Sequence, residues 1–177
     1  MSDVFVECLV KKIPTGVERL LQWGGALLLA VAGVVLILWG GLYFLTLLLA
    51  LACFVGAYYV FTLFQTEYEY AVTNGEVDFD RITAKRSRKR LLTVKCSQVE
   101  GFGRYRPGMK PPAGVQKVLF LGRSPSGENQ FYFVVPRPEQ GKLLVVFQGE
   151  AKCLRAIRPY LPRRVVEPGT WESVHEN

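Results

Sequence analysis

Few residues in this chain of 177 are spaced for bond-making chemistry. Its single histidine, His175, falls within the last three residues, and Cys8, Cys53, Cys96 and Cys153 share no short spacing, so no metal-ligand set is written in the order of residues. Cys96 with His175 is the one conceivable nucleophile pair, and a cysteine in a strand pattern is ordinarily a small buried hydrophobe. Gly101-Phe102-Gly103 lacks the third glycine and the strand-to-helix setting of a nucleotide loop. Glu76, Asp78 and Asp80 alternate along one strand face, which reads as a solvated hairpin face and not as paired catalytic carboxylates. These residues predict a protein without catalytic centre, metal or cofactor, and direct attention from catalysis to binding.

The densest chemical signal is cationic. Lys85, Arg86, Arg88, Lys89 and Arg90 occupy five of six consecutive positions. They lie in a stretch, Arg81 to Arg123, with twelve basic residues and one acid, Glu100, just after a stretch, Thr66 to Asp80, with five acids and no base. Most of the net charge of +7 comes from this polarity. Such a cluster suits a solvated loop that orients a membrane protein, a surface for anionic lipid, or a partner-binding face. Nucleic acid fits poorly, because the run has no interleaved aromatics and no recognition motif. Arg104, Arg106 and Lys110 could extend the same surface, with Phe102 and Tyr105 as anchors of their loop.

The elements that carry this cluster follow from where charge is absent. All 37 charged residues lie outside Leu20 to Thr66, leaving 47 consecutive uncharged residues. As one helix that run would be about 70 Å long, more than twice a hydrocarbon core of about 30 Å. It must cross twice. Trp39, Gly40 and Gly41 form the expected turn, giving spans at about 21–38 and 42–64. The run is too long for the apolar part of a cleaved signal peptide. Lys11, Lys12 and Arg19 precede the hairpin and Lys85 to Arg90 follows it, so the positive-inside rule puts both termini in the cytoplasm. Ala26, Ala30 and Gly33 on the first span, and Ala52 and Gly56 on the second, form small-residue rows suited to close packing within the hairpin or to oligomerisation. Residues 1–19 form a cytoplasmic segment, with VFVECLVKKIPTG read as a short amphipathic helix. Cytoplasmic thiols stay reduced, so no structural disulfide is expected.

Residues 67–177 have the size of one domain with its own core. Tyr68, Tyr70 and Val72 alternate with polar or small residues, Asn74-Gly75 follows, and Val77 and Phe79 resume the alternation. Asn-Gly between alternating runs predicts a type I′ hairpin. Further strands are predicted at 91–96, 118–121, 131–135 and 143–147, with RSPSGEN joining the second and third as another hairpin and 101–114 as a loop. Cys153, Leu154, Ile157 and Leu161 then share a helical face, and Pro159 limits that helix to about 150–158. The fold class is a transmembrane α-hairpin plus a mainly antiparallel β domain closed by one C-terminal helix.

The start SDVFVECLVKKIPTG and the run YEYAVTNGEVDFDRITAKRSRKRLLTVKCSQVEGF resemble an uncharacterised family of small bacterial proteins that join two membrane spans to a cytoplasmic β domain. The second run also resembles, more distantly, the opening of bacterial pleckstrin-homology-like domains: strand, glycine turn, strand, basic residues, third strand. That resemblance implies a bent antiparallel sandwich or barrel with a helix at one end, and a binder of lipid or protein in place of a reaction. The expected role is a multi-pass membrane protein acting as a binding or scaffolding module, with membrane lipid as partner. A membrane-protein partner or a second copy is also open. The alternative is an accessory subunit of a transport or envelope complex that docks through its helices.

Overall fold

The structure is a computed structural model and describes residues 5–40, 43–137 and 141–174. Gly41, Leu42 and His175, which enter the readings above, lie outside the described residues. The chain forms two compact units: the helices with a short turn, Ile13–Thr66 and Thr83–Ser87, and the remainder, which includes the residues before the first helix.

In the helical unit, α1 (Gly16–Gly40) and α2 (Phe44–Leu63) pack as a hairpin. The start of α1 is fixed by a reciprocal cap: Glu18 N–H donates to Thr15 Oγ1 at 3.3 Å, and Thr15 N–H donates to Glu18 Oε2 at 2.9 Å. Both helices are long and apolar enough to cross a bilayer, and only 11% of each apolar window is buried within the structure. The exposed remainder is a surface that suits lipid, since side chains such as Leu28, Leu38 and Phe44 otherwise face water. Inside the contact, Gly33 is buried against Phe54 and the Ala50 carbonyl, Gly25 faces Val60, and Gly56 faces Leu29. Trp23 meets Phe61 edge-on, with ring centroids 5.1 Å apart.

The second unit is a sandwich of two four-stranded sheets. One has the order β1 (Phe5–Lys11), β2 (Thr66–Thr73), β3 (Glu76–Thr83), β4 (Ser87–Lys95). The other has the order β5 (Gly101–Arg104), β7 (Gln130–Arg137), β8 (Gly141–Gln148), β6 (Val115–Phe120). Asn74 and Gly75, the β2–β3 turn, both have positive φ, 46° and 86°, as a type I′ turn requires. Helix α3 (Ala151–Ile157) turns Cys153, Leu154 and Ile157 into a core shared with Tyr70, Phe79, Phe133 and Phe147. Tyr70 ties the sheets together: its hydroxyl donates to the Leu121 carbonyl at 2.6 Å and accepts from Gln148 N–H at 3.2 Å, and burial pushes its pKa above the usual phenol range.

Four expectations are corrected here. The first segment is a strand, not an amphipathic helix: Val6, Cys8 and Val10 point inward while Phe5, Glu7, Leu9 and Lys11 point outward, a period of two. It pairs antiparallel with β2, Cys8 opposite Tyr70, so residues 5–11 belong to the β domain. The RSPSGEN connection is not a hairpin: β8 lies between β6 and β7, and β6 runs parallel to β8. The glycine-rich 101–114 stretch is only partly loop, since β5 places Phe102 in the core, 0% exposed, and pairs with β7. Last, Cys8 and Cys153 form a disulfide, with sulfurs 2.02 Å apart. Strand β1 packs beside α3, which joins residues 145 apart in a way no local spacing announces.

Candidate functional site

The basic run divides into two structurally different parts. Arg88 and Arg90 lie on β4 and reach across the outer face of the first sheet to the acids of the preceding hairpin. Arg88 donates from Nη2 to Glu69 Oε1 and from Nε to Asp80 Oδ2, both at 2.8 Å. Arg90 pairs through Nη1 with Asp78 and through Nε with Asp80, both at 2.9 Å. Asp80 is 4% exposed, and hydrogen bonds from Arg90 and then Arg88, working against desolvation, hold its carboxyl below the usual range. The same bonds raise both guanidinium pKa values. Thr93 bonds Asp78 at 2.6 Å and Lys95 pairs with Glu76 at 3.2 Å. Positions 88, 90, 93 and 95 therefore all meet the acidic face. Across that change of parity, both Leu91 and Leu92 pack toward the core.

Lys85 and Arg86 belong to the other part. The β3–β4 turn groups with the helices, and it is anchored at the end of α2: Ala84 N–H donates to the Gln65 carbonyl at 2.8 Å, and the Arg86 guanidinium lies 5.8 Å from the centre of the Tyr58 ring. Ala84 and Lys85 both have positive φ, 53° and 54°, which costs about 1–2 kcal/mol per residue for L side chains other than glycine. Lys85 and Lys89 are exposed, and among the described residues neither forms an ion pair.

Arg104 and Arg106 lie by the second sheet, whereas Arg88 and Arg90 lie on the first. Arg104 ends β5, and Arg106 follows it on the second sheet, where Tyr105 and Met109 pack on Tyr132, Val134, Leu144 and Val146. Phe102, expected as a loop anchor, is instead a core residue of β5, while Tyr105, just past that strand, packs on the second sheet. Of the small-residue rows, Gly33 and Gly56 lie in the helix contact, Ala26 and Ala30 are half-buried, and Ala52 is exposed. Cys96 is wholly buried, and burial pushes its thiol up to about 12, which removes the thiolate a nucleophile needs. Sequence reasoning missed the acids as partners of Arg88 and Arg90, although the alternation Glu76, Asp78, Asp80 was visible; the cross-strand register that unites them was not. It also missed Gln65 and Tyr58 as the seat of the turn.

A two-sheet β sandwich with a helix at its end, in a chain that also has two apolar helices, defines the class: a PH-like domain in a protein with candidate membrane spans. The chain belongs to the bacterial PH-like domain family (DUF6106), whose model matches residues 2–167. No curated protein and no solved structure matches it.

Proposed function

We propose that this protein is a non-catalytic binding or scaffolding module, integral to the bacterial inner membrane with both termini cytoplasmic, whose β3–β4 turn meets anionic lipid head groups. The observation that carries this reading is the seat of the turn on α2. With Ala84 bonded to Gln65 at the end of an apolar helix, Lys85 and Arg86 lie at the level where a span would leave the hydrocarbon. Each cation close to an anionic leaflet contributes about 1 kcal/mol, so Lys85 and Lys89 together are worth about thirtyfold in affinity. Arg88 and Arg90 contribute less, because their charge is already met by Glu69, Asp78 and Asp80. The rival reading, docking through the helices into a larger complex, is weakened because Gly33 and Gly56 are already engaged within the hairpin.

Full-length protein in nanodiscs tests the proposal. Amides of 83–90 should exchange more slowly in discs containing phosphatidylglycerol than in phosphatidylcholine discs, and Lys85→Gln with Lys89→Gln should abolish the difference. Equal exchange in the two lipids overturns the lipid role. Reporter fusions at Gly40 and Asn177 test topology, and an extracytoplasmic C-terminus overturns it.

A further inference from the structure

The two sheets each end on a strand with one unpaired edge, β4 in the first and β6 in the second. Between these edges lies a cavity of about 280 Å³, lined by Leu91, Leu119 and Leu143 and by Lys117, Arg137 and Lys142. The leucines are continuous with the inter-sheet core: Leu143 is buried, and Leu91 and Leu119 pack against it half-exposed. Leu91 is the residue that the parity change in β4 turns inward. Lys117 stands opposite Leu143 in the β6–β8 register, so cation and apolar floor adjoin. Of the three cations, Lys142 is held by Glu100 at 2.8 Å, while among the described residues Lys117 and Arg137 form no ion pair.

An inorganic anion would use the rim and leave the leucines in water; an uncharged chain would cover the leucines and leave Lys117 and Arg137, which form no ion pair among the described residues, without an anion. One ligand chemistry answers both. We propose that the seam between β4 and β6 binds an amphiphile with an anionic head and one inserted apolar chain, the head held by Lys117 and Arg137 and the chain laid over Leu91, Leu119 and Leu143. The volume falls just below the usual range for small-molecule pockets, about 300–1,000 Å³, which suits one chain better than two. The site shares no residue with the β3–β4 turn, so its loss leaves the lipid contact of Lys85 and Lys89 intact, and the reverse.

The test uses the full-length protein in phosphatidylcholine nanodiscs, with leucine methyl groups observed by NMR. Decanoate should shift the methyls of Leu91, Leu119 and Leu143 saturably, and about tenfold more tightly than decanol, the gain expected from two partly exposed ion pairs. Lys117→Gln with Arg137→Gln, both at exposed or half-exposed positions, should remove that tenfold and leave decanol unchanged. Discs containing phosphatidylglycerol without decanoate separate the sources: shifts there assign the head group to a bilayer lipid, and shifts with decanoate alone assign it to a free amphiphile. No leucine shift with either, equal affinity for decanoate and decanol, or inorganic phosphate competing without moving the leucine methyls when bound alone and without weakening in the double variant, overturns the proposal.

Discussion

Gln22 Nε2 donates to the Phe61 carbonyl at 2.9 Å, the polar bond that closes the open end of the helix hairpin. Phe61 lies in the last turn of α2, where carbonyls run out of helical partners, and Gln22 is only 8% exposed. Replacing Gln22 by Leu should weaken the hairpin by about 1 kcal/mol, the usual worth of an interhelical hydrogen bond in a membrane. The midpoint of SDS denaturation in mixed micelles, followed by Trp23 fluorescence in protein whose Trp39 and Trp171 are replaced by phenylalanine, reads this because Trp23 lies against Phe61. An unchanged midpoint would mean that the bond contributes nothing net.

Two glycines of the hairpin should respond oppositely to alanine. A Cβ at Gly33 would stand 3.1 Å from the Phe54 ring, tight enough that the ring must give by a few tenths of an ångström inside the helix contact, whereas one at Gly56 would meet Leu29 at an ordinary 3.6 Å. Gly56→Ala should be neutral or stabilising by up to about 1 kcal/mol, through helix propensity, and Gly33→Ala should destabilise. The same SDS titration orders the two variants; similar midpoints would contradict the packing.

The β3–β4 turn stores backbone strain at Ala84 and Lys85. Asn-Gly is the pair that suits two positive φ angles, so Ala84→Asn with Lys85→Gly should raise the thermal midpoint, by the equivalent of about 1 kcal/mol. Lipid protection of the turn should fall in the same variant, because one cation is gone. Stability and lipid contact would then change in opposite directions, which a simple improvement in folding would not produce.

How much of this was legible in the sequence depended on the distance between partners. The Asn74-Gly75 hairpin and the face Cys153, Leu154, Ile157 were readable because each is decided within a few residues. Strand β1 was misread because seven residues carry either period, and its partner β2 begins some fifty-five residues later, beyond both helices. The parallel β6–β8 pair was invisible for the same reason: RSPSGEN has turn composition and the chain does reverse there, but β7 leaves room for β8 to pair between it and β6. At the site, the cluster 85–90 was plain, but the pairing of Arg88 and Arg90 with acids, while Lys85 and Lys89 form no ion pair among the described residues, required the register of the three strands β2, β3 and β4.

Asp80 predicts an acid limb of stability. Its folded pKa lies below the unfolded value of about 3.9, so its contribution is complete above that value and is lost as pH falls through the folded pKa. Asp80→Asn should cost about 2 kcal/mol at neutral pH, where a charge-assisted bond to each arginine is lost. It should also flatten the fall in stability below pH about 4. Chemical denaturation midpoints measured from neutral to acid pH check both parts, and parallel curves for the two proteins would remove Asp80 as the cause.

The Cys8–Cys153 bond sets the β domain's redox dependence against its proposed location. Closing a loop of 145 residues restricts the unfolded chain by as much as about 5 kcal/mol, and measured gains for such links are more often about 2–4. A cytoplasmic domain is bathed in thiols, but Cys8 is 0% and Cys153 2% exposed, so reductant reaches the bond only when β1 and α3 separate. Alkylating the denatured protein without reductant should label Cys53 and Cys96 alone, and all four cysteines after reduction. Cys153→Ala should lower the denaturation midpoint of protein kept oxidised, and a reductant should bring the parent protein down to the same level only slowly. Labelling of all four cysteines in protein taken directly from cells, with a cytoplasmic C-terminus by reporter fusion, would show that the bond forms only outside the reducing compartment. Labelling of two with the same topology would show that burial protects it there.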